Sequence, residues 1–371
     1  MENKKLFLIG NGFDIAHGFK TSYLNLMSWM YENYKTTFID FSKLLLRNFL
    51  NRNGYYYEDD WRYRRPENHI DIRIKRMDVS WVENTIEYKF LAENFDEPLI
   101  LYALWESLEE NMYYFFLDKE LEEIEMERNG LLETLIAEEY GQVIEEDIEA
   151  LDRPAQDRFN KLTYLADEFK GALLQWVDDV DSEIYTVEDR VCYYEDKNGN
   201  QSLNMLPDDF FGENDYIINF NYSRTIEELY SKKVCHIHGK SDLSNPPIMG
   251  HTKVFADLYR YDYKELILVE EFYKDFDSII ESYSEYFKKM IDVEEVVVLG
   301  LGYNHTDYPY FEKINSIIPS AKWILYYYSD EDYKKARKYV ETLNIISENV
   351  EYISLKRNTP YTKVVRYNLE D

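Results

Sequence analysis

The chain has 371 residues, enough for two domains or one large one, with ample material for a buried core. With 42 Lys+Arg against 72 Asp+Glu the formal charge is −30, so the surface repels nucleic-acid backbones and anionic lipid. Hydrophobic residues at 45% and aromatics at 17% exclude a disordered chain. Two cysteines, Cys192 and Cys235, cannot build a disulfide framework or a four-thiolate zinc site and suit a reducing compartment, so the cytoplasm is expected. Leu6-Phe7-Leu8-Ile9 is too short for the apolar core of a signal peptide, and no later run approaches a membrane span.

In chain order, Leu6 to Ile9 reads as a first strand, and Thr21 to Leu50 as helical. The cationic-aromatic segment Trp61-Arg62-Tyr63-Arg64-Arg65 reads as a flexible loop rather than a binding site. Residues 80 to 185 read as a helical block. Residues 101–150 within it hold 16 acidic side chains against 2 basic ones, which marks a solvated face. Leu101, Leu104, Trp105, Leu108, Met112, Phe115 and Phe116 follow the three-and-four spacing of a long amphipathic helix. Leu162, Leu165, Ala166, Phe169, Ala172, Leu173 and Trp176 repeat it, with Leu132, Ile136, Val143 and Ile144 suggesting another helix between. Tyr194 to Ser202 reads as a polar return loop.

Further strands are expected at Tyr216 to Asn219, Val234 to Ile237, Glu295 to Leu299, Trp323 to Tyr328 and Val350 to Ile353. Helices are expected at Tyr263 to Met290 and Glu331 to Leu343. This alternation predicts an α/β fold with a mostly parallel, Rossmann-like sheet flanked by helices and carrying a large helical insertion. The expected division is 1–50 for the first part of the α/β domain, 51–205 for the mainly helical insertion and 206–371 for the rest.

Only 13 glycines occur, and seven of them (Gly10, Gly12, Gly18, Gly239, Gly250, Gly300, Gly302) fall in a few short segments at strand ends. Glycine there lets a ligand approach backbone amides, at the edge where open α/β sheets bind ligands. Gly10-Asn11-Gly12-Phe13-Asp14 joins the first strand to a helix, so its amides and the helix dipole could hold a diphosphate, although the third glycine of the dinucleotide fingerprint is missing. Two roles are open for Asp14: capping that helix, or bonding a ribose hydroxyl.

Asn219-Phe220-Asn221 ends an apolar strand with two amides, residues that form turns but also orient a water or a sugar hydroxyl. In His236-Ile237-His238-Gly239 the pattern makes His238 a candidate proton acceptor and His236 a structural residue. Gly250-His251 and Gly300-Leu301-Gly302 repeat the strand-then-glycine pattern and are expected to line the same cleft.

Taken together with Thr21-Ser22-Tyr23 and Asp307-Tyr308-Pro309-Tyr310-Phe311, these motifs resemble the bacteriophage abortive infection AbiH family in order and spacing, from residue 6 to about 312. They also resemble, more distantly, the sirtuin-like fold. That second resemblance implies NAD as substrate or ligand and no metal. It implies Asn221 and His238 as catalytic residues, with Gly10, Gly12, Gly239 and Gly302 around the nucleotide; Asn11, Phe13, Asp14, Asn219, Gly300 and Asp307, from the same and neighbouring motifs, are expected to bind it too. Ser223 stands where sirtuin-like enzymes often carry aspartate, Lys20 replaces a proline, and Tyr303-Asn304-His305 departs from the usual AbiH loop. The absence of zinc cysteines argues against protein deacetylation.

The function implied is an antiphage effector that hydrolyses NAD or a related nucleotide at its N-glycosidic bond when a phage-derived trigger is sensed. Lys20, Arg224 or Lys240 would offset the protein's negative field. Two other functions remain open: a noncatalytic nucleotide-binding or phage-sensing module, and a metal-dependent phosphoesterase using Asp14, His236, His238 and His251. No nucleic-acid or membrane partner is expected, and homo-oligomerisation is left open.

Overall fold

A computed structural model describes residues 4–52, 56–58, 61–63, 74, 79–112, 124, 127–131, 145–185, 191–195, 201–205, 210–250 and 272–354. The strands are β1 (Lys5–Ile9), β2 (Tyr56–Glu58), β3 (Trp61–Tyr63), β4 (Val191–Glu195), β5 (Gln201–Met205), β6 (Tyr216–Asn219), β7 (Cys235–His236), β8 (Glu295–Leu299), β9 (Lys322–Tyr327) and β10 (Val350–Ser354). The helices are α1 (Asn11–Ala16), α2 (Tyr23–Asn33), α3 (Lys35–Arg52), α4 (Val79–Val82), α5 (Ile86–Asn94), α6 (Pro98–Glu106), α7 (Leu108–Asn111) and α8 (Glu145–Tyr185). They continue with α9 (Thr225–Tyr230), α10 (Phe276–Ser282), α11 (Ser284–Lys288), α12 (Tyr308–Ile317) and α13 (Asp330–Thr342). The chain forms two compact units, one of residues 1–26, 173–249 and 274–371, the other of residues 27–172 and 250–273.

The first unit is the α/β domain. Its six strands pair in the order β10-β9-β8-β1-β6-β7, and every pairing is parallel. Counting only these strands along the chain, the order is 3-2-1-4-5-6 from the β7 edge, the arrangement of a Rossmann sheet, with its switch point between β1 and β8. Parallel strands are covered on both faces and so read as unbroken apolar runs, which is why Leu6-Phe7-Leu8-Ile9 and Val296-Val297-Val298-Leu299 are buried along their whole length. On one face Leu6, Leu8, Ile218, Val296, Val298, Trp323 and Leu325 pack with Phe287, Phe311, Ile314 and Tyr339. On the other, Phe7 meets Phe211 edge-on at 4.9 Å between centroids, and Phe211 in turn meets Tyr230 at 5.3 Å. α13 is started by a reciprocal cap between Ser329 and Asp332, with a backbone-to-side-chain bond in each direction.

The second unit has its own aromatic core. Phe41 stacks on Phe169 at 4.4 Å, Phe38 and Phe41 both lie 5.7 Å from Trp105, and the Trp105 indole donates to Ser42 Oγ at 3.0 Å, leaving no stranded donor.

Some local expectations change. The long helix expected through Leu101–Phe116 is broken at Ser107, whose φ −123° and ψ 48° leave the helical region between α6 and α7. Residues 113–116 and the helix expected over 132–144 lie outside the described residues. Trp61–Tyr63 is β3, paired antiparallel with β2, so that segment is not a loop; Arg64 and Arg65 lie outside the described residues. Both ends of the polar Tyr194–Ser202 stretch belong to an antiparallel ladder, with Tyr194 opposite Ser202 and Glu195 opposite Gln201. Among the described residues no helix is long and apolar enough to cross a membrane.

Candidate functional site

The strand order brings the separated motifs together. Gly10 follows β1, Phe220 follows β6, Ile237 follows β7 and Gly300 follows β8, all at the carboxyl edge of one sheet. Gly10 N–H donates to Leu299 O (2.9 Å), Gly12 N–H to Gly300 O (2.8 Å) and Phe13 N–H to Gly10 O (2.9 Å). The first loop and the β8 loop are therefore laced backbone to backbone: two of the amides expected to face a diphosphate, those of Gly10 and Gly12, are spent on this contact, and that of Phe13 is spent within the first loop. The glycines allow the approach. A Cβ on Gly10 would lie 2.6 Å from Gly300 O, and one on Gly12 would lie 2.9 Å from Gly300 Cα. Gly302 is different, because the nearest atom to a Cβ there is 3.6 Å away, on the Asn304 side chain. Asn11 accepts a hydrogen bond from the Thr21 hydroxyl.

Asn219 and Asn221 differ in role. The Asn219 side chain is fully buried and both ends of its amide are engaged: Nδ2 donates to Ser223 O (3.1 Å) and Oδ1 accepts from Asn221 N–H (3.0 Å). It folds the 219–223 turn. That turn presents Asn221, whose Nδ2 is buried without a hydrogen-bond partner.

Asp14 sits in α1 with 1% of its surface exposed and receives the Ser223 hydroxyl at Oδ2. Its Oδ1 has no hydrogen-bond partner. Burial pushes the carboxyl up to about 6, opposed by the Ser223 hydroxyl and then by the Thr225 and Asn221 side chains.

His238 lies in the turn after β7, 3% exposed, with its ring 5.4 Å from Phe220 and 5.3 Å from Tyr310 between centroids. Nδ1 faces Phe220 O at 3.3 Å, and a carbonyl only accepts, so this contact assigns the proton to Nδ1. Nε2 then carries a lone pair with no hydrogen-bond partner, 4.0 Å from Asp307 Oδ1. Burial, reinforced by the Lys274 ammonium, holds the imidazole well below its ordinary pKa, so it is neutral at physiological pH, with Nε2 presenting a lone pair.

His236 has the structural geometry expected of it: Nε2 meets Glu227 Oε1 at 2.5 Å and Nδ1 faces Asn221 O at 3.4 Å. Gly239, at φ +76°, makes the tight turn after His238, where a Cβ would lie 2.0 Å from Pro246 O. Gly250 belongs to the other unit, and His251 lies outside the described residues. Among the described residues no three His, Cys, Asp or Glu side chains form a metal-ligand group.

Of the cations expected to offset the field, Arg224 is engaged by Tyr185 (Nη1 to the hydroxyl, 3.1 Å) and Asp181 (3.7 Å), while Lys20 is exposed. The cation that acts on His238 is Lys274, fully buried between Phe272 and Phe276 in sequence. Sequence reasoning missed it, and it missed Asp181. In both cases the available signal was a charge inside an apolar pattern: Asp181 falls on the same α8 stripe as the buried Val177, Val180 and Ile184.

Fold and site thus define a Rossmann-order α/β protein whose strand-end loops gather a buried carboxyl, an amide and a neutral imidazole. The chain belongs to the bacteriophage abortive infection AbiH family, whose model it matches over residues 6–328. That membership gives it a role in abortive infection, an antiviral defence. No curated protein and no solved structure matches it.

Proposed function

We propose that this AbiH protein is an antiphage effector that binds NAD or a related nucleotide at the carboxyl edge of the sheet and hydrolyses its N-glycosidic bond. The observation that supports this reading is that the loops at this one sheet edge carry three buried polar atoms without a hydrogen-bond partner: Asp14 Oδ1, Asn221 Nδ2 and His238 Nε2. Buried polar groups are nearly always satisfied, so such orphans at a strand-end edge suit a missing ligand. Two of them accept and one donates, a match for vicinal hydroxyls of a ribose, or for one hydroxyl and a water.

In the proposed reaction the bond from ribose C1′ to the pyridinium nitrogen breaks and its electron pair leaves with nicotinamide. Water adds to the oxocarbenium-like carbon and its proton passes to His238 Nε2. Asn221 orients the water or the adjoining hydroxyl, and the Asp14 carboxylate, when ionised, stabilises the positive charge developing on the sugar. Loss of the nucleotide would stop the infected cell before phage matures.

The test is nicotinamide release from NAD by the purified full-length protein, beside Asn221→Ala and His238→Ala. Release should fall roughly 100-fold or more in each variant, the usual scale for removing a positioned proton acceptor, with circular dichroism unchanged. Equal release from all three proteins would remove these roles, and binding without release would favour a nucleotide sensor.

A further inference from the structure

We infer that Asp181, near the carboxyl end of α8, is a positioning residue that clamps together the two loops carrying Asn221 and His238. Its carboxylate is 2% exposed and both oxygens are used. Oδ1 accepts the Arg224 backbone N–H at 2.7 Å, which ends the 219–224 turn, and Oδ2 accepts the Ser241 hydroxyl at 2.5 Å, three residues beyond His238. One side chain from a third element thus spans the loop after β6 and the loop after β7.

Past the backbone bond from Ile237 N–H to Asn219 O (3.2 Å) at the strand ends, the direct side-chain ties between these loops are weaker in geometry. His236 Nδ1 to Asn221 O spans 3.4 Å and His238 Nδ1 to Phe220 O spans 3.3 Å, both at the long end for a hydrogen bond. The two Asp181 bonds are short and involve an acceptor that is charged when ionised, the stronger kind. Burial raises the Asp181 carboxyl, while the two hydrogen bonds, and then the Arg224 charge, favour its ionised form. A carboxylate kept in such a place is held there by what it bonds.

The clamp itself needs no assumption about chemistry; its effect on turnover rests on the proposed hydrolysis. Misplacing Asn221 relative to His238 affects a step in which both act, more than it affects holding the rest of the nucleotide. Loss of the clamp should therefore lower kcat more than it raises KM.

The experiment uses the full-length protein with Asp181→Ala, Asp181→Asn and Ser241→Ala, read by backbone hydrogen exchange and by nicotinamide release from NAD. In Asp181→Ala, exchange should quicken at least tenfold in both 219–224 and 236–241, with β1 and β8 unchanged, and kcat should fall at least tenfold while KM moves less than threefold. Asp181→Asn should recover most of both, because its carbonyl still accepts from Arg224 N–H and its amide can donate to the Ser241 oxygen. Ser241→Ala should loosen only 236–241.

Wild-type exchange in Asp181→Ala, or quickening in one loop alone, overturns the clamp. Should the alanine variant fail to fold, exchange in Ser241→Ala decides by the same criterion, with no change in 236–241 counting against it. Absence of nicotinamide release from the wild type is a failure of the hydrolase reading and leaves the exchange comparison to decide the clamp by itself.

Discussion

Replacing Gly300 by alanine tests whether the strand-end glycines serve contact between loops. Gly300 has φ +75°, where a side chain costs about 1–2 kcal/mol against the right-handed alternative. Its Cβ would lie 2.4 Å from Phe13 N and 2.9 Å from Gly10 O. These are backbone atoms, tied in place by Gly12 N–H to Gly300 O and Gly10 N–H to Leu299 O, so relief of the clash requires breaking a strand-end bond. Overpacking of this kind costs about 1–3 kcal/mol, for a total of about 2–5 kcal/mol out of the roughly 5–15 kcal/mol that holds a typical protein together. Gly302→Ala is the internal control, because its φ is not positive and its nearest contact is an ordinary 3.6 Å, so it should stay within about 0.5 kcal/mol of wild type. Urea unfolding followed by circular dichroism measures both. With a slope of about 3 kcal/mol per molar, the Gly300→Ala midpoint should drop by roughly 1 M and the Gly302→Ala midpoint should not move. Coincident midpoints for the two variants would refute the close-approach argument and return the glycine pattern to a role in ligand access alone.

Asp14→Asn should become more stable relative to wild type as pH rises. With its pKa raised from 3.8 to about 6, the folded Asp14 holds a proton that the unfolded chain has released, so its contribution is full below pH 3.8 and is lost as pH rises through 6. The unfolding free energy of the variant minus that of wild type should grow by about 2 kcal/mol between pH 4 and pH 7, and a flat difference would contradict the burial assigned to Asp14. His17, held at about 4 by burial, gains stability in the opposite direction but is common to both proteins and cancels. Burial pushes the Cys235 thiol up to about 12, so at pH 8 a thiol reagent should leave it unmodified in the native protein and label it on unfolding, as read by peptide mass; rapid native labelling would contradict its place in the core.

The central strands β1, β6 and β8 were legible because their apolar runs are covered on both faces, a pattern that survives without any knowledge of neighbours. β2–β3 and β4–β5 were not, because Trp61-Arg62-Tyr63 is too short for its alternation to establish a period, and Tyr194-Glu195 opposite Gln201-Ser202 carries no apolar alternation at all. The break at Ser107 was invisible for the opposite reason: the apolar spacing continues through Leu104, Trp105, Leu108 and Met112, and periodicity does not register one residue leaving helical geometry. At the site, residue types announced the loops but not how their atoms are spent. Asn219 and Asn221 are the same residue two positions apart on the same turn, and only the carbonyl of Ser223 and the amide of Asn221 decide that the first is consumed by the backbone. The second keeps its donor because nothing within the loop reaches it. That asymmetry depends on a turn closed by tertiary pairing with β1 and β7, through Phe220 N–H to Ile9 O and Ile237 N–H to Asn219 O. That Asn221 rather than Asn219 keeps an unbonded side-chain donor is accordingly a property of the assembled sheet, and no pattern confined to residues 217–223 contains it.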